Sequence, residues 1–200
     1  FERCRDLAAE FLVIARLPIN ARGRPDMEID FLIATPDWGY LVVEVKGGGI
    51  SFDPVSGQWY SIDRRGVEHS IKDPLEQARK NMYATRDLLA SNVRTAKHDY
   101  RFGWAVCFPD CVTEGGFGHH PSQLILDARD MDQLAPRLRM AMRYHGEPKW
   151  KSHEQGVAAI NALRDLLAQP LEARPIWRPQ LDEIERDLVE LTERQHMVLG

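Results

Sequence analysis

The sequence predicts an α/β fold in which a central mixed sheet is flanked by helices. Residues 27–34 and 40–45 are apolar runs of strand length, and a turn containing proline and glycine separates them. A helix is expected to follow, because Asp73 is a good N-cap and Pro74 suits the first helical position. Later in the chain the pattern becomes helical alone. We therefore expect an α/β domain over residues 1–128 and a helical segment over residues 129–200.

The other elements follow from the same signals of periodicity, turns and caps. Before the two apolar strands, residues 2–10 are expected to form a helix and residues 11–17 a strand. Turn signals divide residues 50–70 into short β runs, so we expect a meander that extends the sheet. The later strands are expected at residues 101–108 and 124–127, and the later helices at residues 136–144, 152–169 and 180–191.

Three charged side chains interrupt the two apolar strands. Strict alternation over residues 27–34 places the odd-numbered residues on one face, and Asp30 beside Leu32 on the other. Glu44 and Lys46 are two residues apart in the second strand, so they share a face. If the strands pair, two carboxylates and one ammonium converge. Burying such charges unpaired costs several kcal/mol, and their presence in apolar strands therefore indicates a functional cluster.

The Glu-x-Lys spacing is weak evidence by itself, because Glu147-Pro148-Lys149 has it too. That tripeptide follows no apolar strand and contains a proline, which central strands exclude. The simpler alternative for Glu44 and Lys46 is an ion pair at the end of a strand. The order of an acidic residue, a turn and a second strand ending in Glu-x-Lys favours a hard oxygen site for Mg²⁺ with a lysine beside it.

Two motifs resemble a known family. Asp30 followed by Glu44-Val45-Lys46 resembles the PD-(D/E)xK nuclease motif. The flanking residues, Glu28-Ile29-Asp30 and Val43-Glu44-Val45-Lys46-Gly47, are similar to the nuclease-related domain (NERD) in particular. The resemblance covers roughly residues 1–128. It implies a restriction-endonuclease-like core that hydrolyses phosphodiester bonds of DNA with the help of Mg²⁺.

The resemblance also implies a metal site built from oxygen ligands. Asp30, Glu44 and the Val45 carbonyl would hold Mg²⁺, or Mn²⁺ as a substitute, in an octahedral shell that keeps several waters. The first acidic residue of the family belongs on the N-terminal helix. Glu2 is the first choice for it and Glu10 the second.

Two catalytic side chains are implied outside the metal shell. Lys46 would orient or help deprotonate the attacking water and stabilise the charge on the phosphate. Gln77, near the start of the helix that Pro74 begins, would position water or phosphate, although without the resemblance it could equally be a surface residue. Trp59 also matches the family pattern. Asp73 stands where the family often has asparagine, and either residue caps a helix.

A zinc site is the competing interpretation of the metal chemistry. Cys107 and Cys111 are followed by His119 and His120. However, Cys107 is expected to face the core and no Cys-x-x-Cys pair occurs, which disfavours zinc. Three cysteines without a disulfide framework indicate a reducing compartment, for which the cytoplasm is the default.

Residues 191–195 read Leu-Thr-Glu-Arg-Gln and resemble the adenine-contacting Q motif of UvrD-like superfamily 1 helicases, with Gln195 as the nucleotide-binding residue. Thr192 and Gln195 also fit an ordinary capping box. The helicase resemblance implies a motor in the same full-length chain, acting in DNA repair or against foreign DNA. The sequence has no Gly-x-x-x-x-Gly-Lys-Ser/Thr loop, so we expect no ATPase activity from these residues themselves.

Composition limits how DNA would be bound. A net charge of -4 and a pI near 6.0 give no general attraction to nucleic acid, so local basic clusters must supply the contacts. The acidic charge favours an alternative in which the domain is a non-catalytic DNA-binding or docking module of the helicase. A further alternative is a structural domain whose ion pair fixes strand register.

No membrane partner is expected, because no apolar run is long enough to span a bilayer.

Overall fold

A computed structural model of the chain describes residues 11–19, 27–113 and 121–168. The chain divides into two units, Phe1–Gln169 and Pro170–Gly200, and every described residue belongs to the first. The described ranges contain eight strands and four α-helices. The strands are β1 (Leu12–Ile19), β2 (Met27–Thr35), β3 (Gly39–Val45), β4 (Gly49–Asp53), β5 (Gln58–Ile62), β6 (Glu68–Ile71), β7 (Phe102–Phe108) and β8 (Ile125–Asp127). The helices are α1 (Pro74–Ser91), α2 (Val93–Ala96), α3 (Leu134–Tyr144) and α4 (His153–Leu167).

A five-stranded mixed sheet lies at the centre, with the strand order β1-β2-β3-β7-β8. The pairs β1–β2 and β2–β3 are antiparallel, whereas β3–β7 and β7–β8 are parallel. The predicted α/β fold with a central mixed sheet is therefore confirmed, and it is consistent with a restriction-endonuclease-like core. The carboxyl ends of β3, β7 and β8 meet at one edge of the sheet, which is the edge where Glu44 and Lys46 lie.

Helices cover both faces of this sheet. On one face, Leu138 of α3 packs in a cluster with Leu41 of β3. On the other face, Met82 of α1 and Leu163 of α4 pack in a cluster with Val42. Strand β3 is consequently buried on both sides, as the apolar residues on both of its faces predicted.

The strict alternation predicted for residues 27–34 is wrong at Asp30. Ile29 packs in the same apolar cluster as Leu32, although the two differ in parity. The register of β1 and β2 would place Arg16 opposite Asp30, but no bridge forms between them. Arg16 has a φ of 53°, a left-handed conformation that is rare for residues with a Cβ. The alternation of faces therefore breaks between Ile29 and Phe31, so that Ile29 and Leu32 pack on the same face of the sheet.

The predicted meander is present, but the expectation that it extends the central sheet is wrong. Strands β4, β5 and β6 form a separate three-stranded antiparallel sheet. The chain leaves β3 through Gly48, which has a φ of 80° and where a Cβ would lie 2.7 Å from the carbonyl oxygen of Ile62. Trp59 joins the small sheet to the core by packing against Phe108, with ring centroids 6.4 Å apart.

Helix α1 begins as its sequence predicted. The Asp73 side chain accepts hydrogen bonds from the backbone N–H groups of Leu75 at 2.8 Å and Glu76 at 3.1 Å, and Pro74 occupies the first turn. Asp73 thus caps α1 as predicted. The cap fixes where α1 starts, and so fixes which of its side chains lie over the end of β3.

Helices α3 and α4 correspond to two of the three helices predicted beyond residue 128. Ser152 caps α4, since its hydroxyl accepts a hydrogen bond from the Gln155 N–H at 3.4 Å. The helices predicted at residues 2–10 and 180–191 lie outside the described residues. The domain boundary at residue 128 stays a prediction. Among the described helices, none is both long and apolar enough to cross a membrane.

Candidate active site

Glu44 and Lys46 leave the same face of β3 and form an ion pair. The Lys46 Nζ lies 2.7 Å from the Glu44 Oε1. The Glu44 side chain is only 1% exposed, whereas that of Lys46 is 26% exposed. The pair therefore joins a buried carboxylate to an ammonium that reaches solvent.

Asp30 approaches the pair from the neighbouring strand. The backbone ladder of β2 and β3 ends at the bridge between Phe31 and Val43. Beyond that bridge the Asp30 Oδ2 accepts a hydrogen bond of 2.8 Å from the Val45 N–H, in place of a backbone carbonyl. The N–H and C=O of one residue in an extended strand point to the same side. The Val45 carbonyl consequently faces the gap between the strands, where the Asp30 carboxylate lies.

Helix α1 contributes two amide side chains, Gln77 and Asn81. They are one helical turn apart and so lie on one face of α1. The Asn81 Nδ2 donates to the Glu44 Oε2 at 3.4 Å and to the Glu28 carbonyl at 3.3 Å. Gln77 is close enough to Glu44 to lower the pKa of that carboxyl. The structure thus brings Asp30, Glu44, Lys46 and Gln77 to one place, together with an asparagine that the sequence analysis missed.

Burial raises the pKa of Glu44 above its ordinary value. The hydrogen bond and charge of Lys46 oppose this effect, the negative charge of Asp30 adds to it, and Gln77 opposes it. One positive charge therefore compensates the buried carboxylate only in part. Additional positive charge beside Glu44 and Asp30 would stabilise the ionised form, which is what a bound cation supplies.

The oxygen atoms of this cluster are of the type that magnesium ions prefer. Mg²⁺ in proteins is usually held by one or two carboxylates together with water and substrate phosphate. Asp30 and Glu44 supply two carboxylates and Val45 a carbonyl at the same strand ends. In the ranges that the structure covers, no three side chains of His, Cys, Asp or Glu come close enough to hold a metal among themselves. The first acidic residue that the resemblance implies, Glu2 or Glu10, lies outside those ranges, as does Gln195.

The two described cysteines belong to no group of three or more potential metal ligands within the described ranges. Cys107 lies on β7 and is 7% exposed, which confirms that it faces the core. Burial raises the pKa of its thiol to about 12, and burial also raises the pKa of Cys111. Neither cysteine forms a disulfide in the structure. The other residues of the competing zinc hypothesis, His119 and His120, lie outside the described residues.

A family model for the nuclease-related domain matches residues 2–109 of the chain. The match covers more than half of the sequence. This chain belongs to the nuclease-related domain family. The matched part of this NERD domain includes Asp30, Glu44, Lys46 and Gln77, so the whole described cluster lies inside it. Searches of curated proteins and of solved structures gave no match. Family membership indicates a nuclease-related function.

Proposed function

We propose that this NERD domain hydrolyses phosphodiester bonds of DNA, using Mg²⁺ or Mn²⁺ held by Asp30 and Glu44. The observation that carries the proposal is the contact of 2.7 Å between the buried Glu44 carboxylate and the partly exposed Lys46 ammonium, with Asp30 on the adjacent strand. A structural role alone is a weak explanation, because a buried ion pair seldom stabilises a fold more than apolar residues would. Such clusters of perturbed charges occur more often at sites of chemistry.

Each side chain of the cluster has a distinct task in the proposed reaction. Lys46 orients the attacking water and neutralises charge that develops on the phosphate. The Val45 N–H fixes the Asp30 carboxylate, and Asn81 holds the Glu44 carboxylate. A cation bound between these carboxylates would add charge neutralisation at the phosphate and would acidify water. The Val45 carbonyl and Glu2 or Glu10 are the proposed additional ligands, and Gln77 is the proposed contact to water or phosphate.

The proposal extends to the partners of the domain. DNA is the proposed substrate, and a helicase motor elsewhere in the same full-length chain is the proposed partner. The pentapeptide at residues 191–195, with Gln195 as an adenine contact, supports the helicase association. A cytoplasmic location and a role in DNA repair accord with that association.

Metal-dependent cleavage of plasmid and single-stranded DNA tests the proposed reaction. We expect the wild-type domain to cleave in Mg²⁺ or Mn²⁺ and to be inactive in a chelator. Lys46→Ala and Asp30→Asn should each lower the cleavage rate about a hundredfold or more, because each removes a charge that acts at the phosphate. Asp30→Asn keeps an oxygen that can accept the Val45 N–H, so it removes charge with little change in packing.

The second Glu-x-Lys tripeptide of the chain supplies a matched control. Lys149 is 77% exposed and lies 3.7 Å from Asp99, which precedes the amino end of β7 and so lies at the opposite edge of the sheet from Lys46. Lys149→Ala should leave cleavage unchanged. Equal cleavage by wild type, Lys46→Ala and Asp30→Asn would falsify the assignment. DNA binding with no cleavage by any form would instead identify a non-catalytic module.

A further inference from the structure

A small aromatic cavity lies at the opposite end of β3 from the charged cluster. Its volume is about 150 Å³, and its lining includes Tyr40, Tyr100 and Phe102 together with Arg86 of α1. The ring centroid of Tyr40 is 6.1 Å from that of Tyr100 and 6.2 Å from that of Phe102. A cavity of roughly this volume in another protein takes up a benzene molecule. The space is therefore sufficient for one six-membered aromatic ring.

The hydroxyl of Tyr40 is unpaired at this cavity. The Tyr40 side chain is 1% exposed, and its Oη has no hydrogen-bond partner among the described residues. Leaving a buried hydroxyl without a partner costs about 1 to 3 kcal/mol, so native structures seldom retain one without a reason. Burial raises the pKa of Tyr40, which keeps the hydroxyl neutral and able to donate. A polar group that enters the cavity would give the Oη the partner that it lacks.

Arg86 adds further donors at the edge of the cavity. Its guanidinium lies 4.9 Å from the Tyr83 ring centroid and 5.9 Å from that of Phe102. A bond of 2.7 Å to Asp87 holds it there, and the side chain is 44% exposed. The cavity thus combines aromatic walls with donors at one side. A planar ring that carries carbonyl oxygens matches this combination.

The position of the cavity relates it to the candidate active site. Tyr40 and Glu44 are four residues apart in β3, so they lie on one face of the strand and about 13 Å apart at about 3.3 Å per residue. Helix α1 covers that face, with Asn81 near Glu44 and Arg86 near Tyr40. Val42 between them is fully buried, so a DNA strand bound at both places would run over the outer surface of α1.

We propose that the cavity binds one unstacked pyrimidine base of a single DNA strand whose backbone reaches the Asp30–Glu44 cluster. The proposal rests on the proposed function, since it assumes that DNA is the substrate. The base stacks on the aromatic side chains, and the Tyr40 hydroxyl and the Arg86 guanidinium donate to its carbonyl oxygens. A pyrimidine suits the volume better than a purine, which has two fused rings.

Binding of labelled single strands to the wild-type protein in a chelator tests this proposal, because cleavage cannot interfere there. Fluorescence anisotropy would compare a thymidine dodecamer, a deoxyadenosine dodecamer and an abasic strand of equal length. We expect the thymidine strand to bind most tightly. Tyr40→Phe should weaken that binding about three- to tenfold, the effect of one hydrogen bond, and leave the abasic strand unaffected. Ala90→Phe, which narrows the cavity from an exposed lining position, should remove the base preference.

Arg94→Ala provides the matched control, because Arg94 is an exposed cation on α2 outside the cavity lining. It should change the affinities for all three strands by the same factor. Equal wild-type affinity for the thymidine and abasic strands overturns the cavity proposal but leaves the hydrolase proposal standing. An unchanged thymidine preference in both Tyr40→Phe and Ala90→Phe does the same. Failure to bind any strand overturns the DNA-directed function and this proposal together.

Discussion

Glu44 is stabilised mainly by side chains that approach it from two different elements. Lys46 pairs with one carboxylate oxygen from the same strand, and Asn81 of α1 donates to the other oxygen. Each oxygen of this almost fully buried carboxylate therefore has a hydrogen-bond donor that fixes its orientation. Fixed orientation matters for a metal ligand or a catalytic group, because misplacement by about 1 Å is enough to lower a rate strongly.

Replacing Asn81 by alanine should therefore affect both stability and the proposed reaction. Asn81→Ala removes the donor to Glu44 and to the Glu28 carbonyl, and both acceptors are then left without it. We expect the free energy of unfolding to fall by about 1 to 2 kcal/mol and the cleavage rate to fall about tenfold, with a higher Mn²⁺ concentration needed for half-maximal rate. Urea unfolding and a metal titration of the cleavage rate measure these changes.

Thr85→Val is the control for that substitution. Thr85 is also buried on α1, but its hydroxyl bonds to the Asn81 carbonyl and makes no contact with Glu44. It should alter stability by less than Asn81→Ala and leave the metal dependence unchanged. A normal metal dependence in Asn81→Ala would show that the asparagine only supports the fold.

Functional residues could be predicted from the sequence where they depart from the pattern of their strand. Residues of the cluster that suit their helix could not. Glu44 and Lys46 were predicted because charge intrudes into an apolar strand. Asn81 was missed because an asparagine within a helix is unremarkable by itself. Its spacing of four residues from Gln77, which places both amides on one helix face, was the available signal.

The same contrast holds for whole elements. Helix α1 was predicted well, because its start is set by local chemistry at Asp73 and Pro74. The break in the pairing of β1 and β2 was missed, because it lies at Arg16, whose left-handed conformation is rare for an arginine and cannot be predicted from the sequence. The separate small sheet was missed for a similar reason, since the direction in which a chain leaves a glycine such as Gly48 is not encoded in the glycine alone.

The left-handed conformation of Arg16 leads to a prediction about the stability of β1. At a φ of 53° a residue with a Cβ is strained by roughly 1 to 2 kcal/mol, whereas glycine is not. Arg16→Gly should therefore be more stable than Arg16→Ala by about 1 kcal/mol in urea unfolding. Both variants lose the same exposed contact of 3.2 Å to Glu28, so the comparison isolates the backbone. Glycine also loses about 0.5 to 1 kcal/mol more backbone entropy than alanine on folding, so a variant Arg16→Ala that is more stable than Arg16→Gly by that amount would indicate that residue 16 is not strained.

At the scale of the whole molecule, the topology brings distant segments to one edge of the central sheet. Strands β3, β7 and β8 are parallel, so their carboxyl ends coincide there although residues 46–101 separate β3 from β7 along the chain. The Asp110 Oδ2, just beyond β7, accepts a hydrogen bond of 2.8 Å from the Gly48 N–H, just beyond β3. This hydrogen bond links the segments that follow β3 and β7 at the sheet edge that carries Lys46.

The burial of Glu44 should make the stability of the whole domain depend on pH and on divalent cations. Its pKa is raised in the folded state, so its contribution to stability is fully present below the unfolded pKa and is lost as pH rises through the folded pKa. Glu44→Gln removes this loss, so the free energy of unfolding of the variant, measured relative to wild type, should rise as the pH increases from the unfolded pKa towards the folded pKa. Urea unfolding at several pH values measures it.

Divalent cations should restore part of the stability that the wild-type protein loses as the pH rises. A cation that binds the ionised pair of Asp30 and Glu44 stabilises the folded state by about 1.4 kcal/mol at ten times its dissociation constant. We expect Mn²⁺ to raise wild-type stability at pH 8 and to have little effect on Glu44→Gln. Glu76→Gln is the matched control, because Glu76 is exposed on α1 and Lys80 lowers its pKa. That variant should keep the Mn²⁺ response and lose a little stability above pH 5. A Mn²⁺ response of equal size in wild type and Glu44→Gln would place the cation elsewhere, because the glutamine cannot supply the buried negative charge.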